Sequence, residues 1–336
     1  MKFFPALLAA LMLVAGPVGA VGFQSATAPD PVDKPLAIGI WYPSDAPVPS
    51  QPNTPFRQAL SLGGAVSGTH LPLIVISHGM GGWLGSQADT ALALAEAGFV
   101  VVAVTHSGDN GEDDSSPVSR SMVDRPRHIS RVLDYMLAGW SGHERIDPAR
   151  IGIFGFSAGA LTALVAIGAV PDLKAAAAHC AADPQELVCR LGMTSDFETP
   201  AVANRPASVW THDPRIKAAV LAAVGFGFAF DTKGLAQVTI PVELWAASDD
   251  HNVPYASNTA IVRQSLPTPP DFHMVEGPGH FAFRPPCNPE LEAALPKIWA
   301  MVCVDPPGFD RAAFHCVFNK ELVDFFRLHL PSSVQP

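Results

Sequence analysis

Charge is scarce in this 336-residue chain: Asp, Glu, Lys and Arg together make up 15% of it. The 21 basic residues are outnumbered by 31 acidic ones and form no run able to track a phosphate backbone, which argues against nucleic acid as a partner. There are only 5 cysteines, and their spacing contains no C-x-x-C pair, so a zinc-ribbon type of metal site is excluded. No internal repeat is found, and the 33 prolines and 27 glycines are too dispersed for a low-complexity tract. What is abundant is apolar material, 48% of the chain. That suffices for a large core and is incompatible with disorder.

The N-terminus pairs Lys2 with an apolar stretch from Phe3 to Gly16, followed by small residues through Val18-Gly19-Ala20. A short positive region, an apolar region and a small-residue site describe a secretory signal peptide cleaved after Ala20. Pro5 and Pro17 interrupt the stretch, and it falls short of the roughly 20 residues of a membrane anchor. Export to the periplasm or the medium is expected, with residues 21–336 as one domain and no membrane span after cleavage. The apolar stretch Ala158–Val170 is also too short to span a bilayer.

Beyond Phe23 short β-rich runs alternate with helix-like ones. Leu36–Tyr42, Leu73–Ser77, Phe99–Val104 and Ile151–Phe156 read as strands, mostly continuous apolar runs of the kind buried on both faces of a parallel sheet. Gln87–Ala97, Ser119–Leu137 and a segment starting near Ala158 read as helices. Residues 171–214 break the pattern. Strands are expected again at Lys217–Val224, Val238–Trp245 and Phe272–Val275, with helices near Asn258–Gln264 and Asn319–Leu328. Such alternation implies an α/β fold with a mostly parallel central sheet flanked by helices and right-handed crossovers, and 171–214 reads as a small inserted cap segment.

Gly155-Phe156-Ser157-Ala158-Gly159 fits G-x-S-x-G. An apolar strand runs into it and a small-residue helix leaves it, the strand–turn–helix setting in which a serine oxygen is presented at the carboxyl end of a sheet. A nucleophilic serine needs a base, an orienting acid and donors for an oxyanion. His78-Gly79-Met80-Gly81-Gly82 follows a buried strand and can turn backbone N–H groups toward a reacting carbonyl, so the Met80 and Ala158 N–H groups are the expected oxyanion pair. Asp249 and Asp250 follow the penultimate strand, and His280, within Gly277-Pro278-Gly279-His280, follows the last. The chain order Ser, Asp, His is the α/β-hydrolase order.

Here the chain resembles bacterial "predicted dienelactone hydrolases" of the platelet-activating-factor-acetylhydrolase-like branch of the α/β-hydrolases. The resemblance rests on Trp41-Tyr42-Pro43-Ser44, Ser77-His78-Gly79, the Ser157 pentapeptide, Gly279-His280-Phe281, Pro286-Cys287 and Pro306-Pro307-Gly308-Phe309-Asp310. It implies an α/β-hydrolase fold and serine hydrolysis of small ester or lactone substrates. True dienelactone hydrolases carry a cysteine where this chain has Ser157. In hydrolases of this type the acid stands four residues before a proline, here Pro254, which favours Asp250 over Asp249.

The expected chemistry is acyl transfer through Ser157, His280 and Asp250, with no metal or organic cofactor and a small-molecule ester as partner. An amidase, a peptidase or an acyltransferase would carry the same triad, and an inactive hydrolase fold used for binding is the alternative of another class. His78 reads as a fixer of its loop rather than a base, and His251 as solvated. His106 is expected at the pocket. Trp83, Phe226 and Phe228 either wall an acyl pocket or pack in the core. In an exported chain the cysteines should form disulfides; Cys180–Cys189 and Cys287–Cys303 are the local pairings, with Cys316 left over, although spacing does not fix the connectivity.

Overall fold

The structure, a computed structural model, describes residues 20–332; most of the expected signal peptide lies outside them. Nine strands form one sheet: β1 (Ala20–Ala28), β2 (Leu36–Ser44), β3 (Ser61–Leu62), β4 (Leu71–Ser77), β5 (Val100–Val104), β6 (Ile146–Phe156), β7 (Ile216–Ala222), β8 (Val242–Ala247) and β9 (Asp271–Val275). Their order is β3-β1-β2-β5-β4-β6-β7-β8-β9. From β5 to β9 every pairing is parallel, whereas β2 pairs antiparallel with both β1 and β5. The result is a mostly parallel sheet with helices on its faces, the α/β-hydrolase architecture expected from the alternating pattern.

The central strands are those whose sequences read as continuous apolar runs. Val100 to Val104 are all buried, as are Ile151 to Phe156, because helices cover both faces and leave no side to solvent. One layer of helices comprises α1 (Ala88–Glu96) and the C-terminal helix, the other α2 (Val118–Ala138) and α3 (Ala158–Ala166). The core is correspondingly split by the sheet. Ile129, Val132, Leu133 and Met136 of α2 pack with Leu73, Val75 and Ile153 on one side; Ala91 and Leu94 of α1 pack with Ile74, Phe154 and Phe326 on the other.

Residues 171–214 hold three short helices, α4 (Leu173–Ala182), α5 (Leu187–Arg190) and α6 (Pro200–Ala203). Asp172 caps α4, its carboxylate accepting from the Lys174 and Ala175 N–H groups. The Cys180–Cys189 disulfide ties α4 to α5. Beyond β7 come α7 (Thr259–Ser265), α8 (Glu290–Ala294), α9 (Pro296–Val302) and α10 (Arg311–His329). The expected helix at 319–328 thus begins eight residues earlier, where the Asp310 side chain caps the Ala313 N–H. A second disulfide joins Cys287 to Cys303, and Cys316 is free and exposed, matching the local pairings.

Two strands, β1 and the two-residue β3, were not read from the sequence, and the start of β8 was misplaced. β1 has small residues and one Gly in a run that alternates in burial, a weak β signal on a two-sided pattern; Gly22 is needed there because a Cβ would stand 2.2 Å from the Tyr42 ring. β8 starts at Val242 rather than at Val238, because Pro241 cannot donate to the sheet.

Candidate active site

β6 delivers Ser157 directly into the N-terminus of α3. Its backbone has φ +56° and ψ −118°, a conformation that costs a non-glycine residue roughly 1–3 kcal/mol and persists only where surroundings enforce it. The two flanking glycines are enforced by contact: a Cβ on Gly155 would lie 2.2 Å from the Gly159 carbonyl oxygen, and one on Gly159 1.9 Å from the Ser77 oxygen. Those approaches let α3 start on top of the strand ends and turn the serine out of the sheet.

The three residues singled out in the sequence meet there. His280 stands 3.0 Å from the Ser157 hydroxyl through Nε2 and 2.7 Å from Asp250 Oδ2 through Nδ1. A carboxylate only accepts, so Nδ1–H donates to Asp250 and the Nε2 lone pair faces the serine. Asp250 is itself fixed, its Oδ1 accepting from the Asn252 and Val253 N–H groups at 2.9 and 2.8 Å. Both Asp250 and His280 are buried, and the Phe156 ring lies 4.9 Å from the imidazole. Asp249 instead points outward and faces His251 at 3.1 Å. The structure therefore joins Asp250, not Asp249, to the histidine.

Ala158 is the first residue of α3, where N–H groups have no partner inside the helix. Among the described residues neither its N–H nor that of Met80 donates a hydrogen bond. The loop bearing Met80 is held from behind. His78 Nδ1–H donates to the Gly79 carbonyl at 2.6 Å, and its Nε2 accepts the His106 N–H at 3.1 Å. Arg125 of α2 donates to the His78 carbonyl and, at 3.0 Å, to Asp109. Asp109 in turn accepts the Gly81 N–H at 3.2 Å. Neither Asp109 nor Arg125 drew notice in the sequence: they carry no motif, and an arginine in the polar register of a helix reads as solvated.

Four residues do not line a pocket beside Ser157. His106 is fully buried and does not line a pocket. Its Nε2 donates to the Ser77 hydroxyl at 2.9 Å, and its Nδ1 accepts from His128 at 3.2 Å. The strand end located it correctly, but the chain then turns inward. Phe226 and Phe228 are buried too. They pack against Phe197 at 6.2 Å and His179 at 4.1 Å, both from segment 171–214, so they anchor that segment and do not wall a free pocket. Trp83 is partly exposed and lines a cavity of about 570 Å³ with Phe56, Arg284 and Pro286, bounded by neither Ser157 nor His280. His78, as expected, fixes its loop.

Two cavities of about 360 Å³ each adjoin the site. One lies on the Met80 side, with Asp109, Ser121, Gly192 and Met193 in its wall; the other lies on the His280 side, with Leu187, Phe281 and Met301. Residues of 171–214 contribute to both. Among the described residues, two groups of side chains hold potential metal-ligating atoms within 4.8 Å of one another: His179, Asp183 and Glu186, and Glu243, Asp271 and His273. Neither includes a triad residue. In the first, Glu186 is already occupied by His179 and Asn258, both at 2.7 Å.

Residues 62–225 match the dienelactone hydrolase family. The fold is that of the α/β-hydrolases, and the matched residues are similar to the dienelactone hydrolase family. Among curated proteins, a poly(3-hydroxyalkanoate) depolymerase C of Paucimonas lemoignei is 26% identical over 205 residues, 57% of this chain and 44% of that one. A cutinase of Thermobifida alba is 36% identical over 105 residues, 31% of this chain and 32% of that one. The chain thus spans less than half the length of the curated relatives it matches. A ferulic acid esterase from Streptomyces cinnamoneus has the same fold, with a TM-score of 0.63 at 18% identity over 96% of this chain and 93% of that one. Among the described residues no helix is long and apolar enough to cross a membrane.

Proposed function

We propose that this α/β-hydrolase is a serine carboxylic ester hydrolase that works through an acyl-enzyme. The observation that carries the reading is the unbroken hydrogen-bonded line from Ser157 through His280 to Asp250 at the carboxyl ends of β6, β8 and β9. In it, His280 Nε2 takes the Ser157 proton as the oxygen attacks the ester carbonyl, and Asp250 keeps the ring in the productive tautomer and stabilises the imidazolium. The Met80 and Ala158 N–H groups receive the developing oxyanion. Collapse expels the alcohol, protonated by His280, and a water deprotonated by the same nitrogen releases the acid. Every step uses groups of this chain.

The similarity to a depolymerase, a cutinase and a ferulic acid esterase supports ester over amide chemistry. Export is part of the proposal, supported by the N-terminal pattern and by two disulfides, which persist in oxidising compartments. We read 171–214 as a cap that leaves a partly covered site for small or medium soluble esters with short acyl or aromatic groups. Its longest helix, α4, has ten residues, short for a lid that opens onto a lipid surface.

A fluorophosphonate probe should label Ser157 alone, and Ser157→Ala should lower turnover roughly 10⁴–10⁶-fold while the protein stays folded. Labelling elsewhere, or an active variant, overturns the reading. para-Nitrophenyl esters of two to about eight carbons should be cleaved well and emulsified triglycerides poorly. A jump in activity at an oil–water interface would reject the cap assignment and leave the triad standing.

A further inference from the structure

The loop behind the oxyanion position is braced by an ion pair that has no evident reason to be buried. Arg125 is 2% exposed and Asp109 8%. Withdrawing two charges from water costs several kcal/mol each, and well-packed apolar residues would stabilise a core at least as well. The pair is therefore poor as a stability device. Its geometry is specific instead. Arg125 Nη2 donates to the carbonyl of His78, and Arg125 Nη1 donates at 3.0 Å to Asp109 Oδ2. Asp109 Oδ1 accepts the N–H of Gly81 at 3.2 Å. The two bonds to the loop fall on either side of Gly79-Met80. A ring thus closes from the His78 carbonyl through both side chains to the Gly81 N–H, with Met80 at the part left untied.

That ring determines where the Met80 N–H points. A peptide N–H in a glycine-rich loop is free to rotate about its flanking torsions; Gly81 already occupies φ +64°. A turn bond from Gly82 N–H to the Gly79 carbonyl, 3.1 Å, and the His78 ring bond to that same carbonyl, 2.6 Å, fix the far side of the Gly79-Met80 peptide. With both ends of the segment pinned, the donor is oriented before substrate arrives, which is where oxyanion stabilisation gains its strength.

We infer that Asp109 and Arg125 are positioning residues for the oxyanion hole, acting through the His78–Gly81 loop to aim the Met80 N–H at the tetrahedral intermediate. The inference rests on the serine-esterase reading and extends it to two residues outside the triad. Neither touches the serine or the histidine.

The test is Asp109→Ala beside Asp109→Asn, which keeps an oxygen for the Gly81 N–H, and Arg125→Lys. Rates on para-nitrophenyl butyrate are expressed per serine titrated by a fluorophosphonate, so misfolded molecules are not counted. Asp109→Ala should lower kcat about 10²–10³-fold, the loss seen when one oxyanion donor is removed, with KM within about threefold. The inhibition constant of a boronic acid, which forms a tetrahedral adduct on the serine, should rise in parallel. Asp109→Asn should recover most of kcat, and Arg125→Lys should fall between. A purely structural role would lower the melting temperature and leave kcat per titrated serine and boronate affinity unchanged, and that result overturns the inference. A fall in kcat without loss of boronate affinity overturns it as well. If Asp109→Ala does not fold, Asp109→Asn and Arg125→Lys are read by the same two measurements. An active Ser157→Ala would instead reject the underlying ester-hydrolase reading, whatever the Asp109 variants do.

Discussion

Two sets of histidines occupy the carboxyl edge of this sheet, and the contrast between them separates a base from a brace. His280 has a carboxylate on one ring nitrogen and a serine hydroxyl on the other. His78, His106 and His128 are just as buried, but among the described residues no carboxylate is within hydrogen-bond distance of their ring nitrogens: Arg125 and Arg127 stand beside them, and Asp30 is 3.7 Å from His128 Nε2. Burial, and after it Arg125, pushes His78 down to about 3 and takes His106 well below its ordinary range; burial, and after it Arg127, pushes His128 down to about 4. All three rings are therefore neutral at pH 7 and serve as one-donor, one-acceptor links. Arg127 donates to His128 Nε2, His128 Nδ1–H to His106, and His106 Nε2–H to Ser77. The same side chain is presented to a serine or built in as a structural link according to the groups its two nitrogens meet.

The sharpest way to break that contrast is to remove the charge that distinguishes His280. Asp250→Asn should lower turnover by about 10⁴-fold, because the ring would be held in the wrong tautomer. Asp249→Asn, one residue away, should leave the rate within about twofold. Steady-state kinetics on one soluble ester decide the matter, and the reverse outcome would move the acid by one position.

A weaker perturbation acts on the bracing set. Folded-state values below the ordinary 6.5 mean that the unfolded chain binds more protons than the folded one in acid, so stability is full above about pH 6.5 and is lost as pH falls toward 4. For His128 alone, a shift from 6.5 to about 4 corresponds to roughly 3 kcal/mol. Melting temperature should fall steeply over that window, and His128→Gln should flatten the slope. A wild-type protein equally stable at pH 4 and 7 would show that these rings are not held neutral.

Carboxylates repeat the comparison with opposite sign. Asp250 accepts three hydrogen bonds, whereas buried Glu243 accepts one, from Trp245 Nε1 at 2.5 Å. Burial pushes Glu243 up to about 7. Here the folded state binds more protons, so stability declines as pH rises from 4.5 through 7. Glu243→Gln keeps the acceptor for Trp245 and should raise stability at pH 8 by up to about 3 kcal/mol, with little change near pH 4. Denaturant titrations at the two pH values would read the difference, and equal shifts at both would show that the carboxylate is not the cause.

Much of the molecule was legible because its signals are local. Continuous apolar runs marked β4, β5 and β6, since a strand covered on both faces must be apolar throughout. The order of strand-end loops brought Ser157, Asp250 and His280 together, because parallel strands deliver their carboxyl ends to one edge. The short sequence separations, 9 and 16 residues, matched the disulfides that formed. What a strand end does not encode is which way the following loop turns. His106 runs inward, Phe226 and Phe228 are covered by 171–214, and Trp83 faces a different cavity. The Asp109–Arg125 pair was equally invisible, for the residues are 16 apart on a loop and a helix, each unremarked by pattern. The sequence alone determined the parallel part of the sheet, the edge at which Ser157, Asp250 and His280 meet, and their chain order. Only the tertiary structure decided which charged and aromatic side chains turn inward, because a buried charge takes its partner from whatever the packed chain brings near, and that neighbour is not written within a few residues of it.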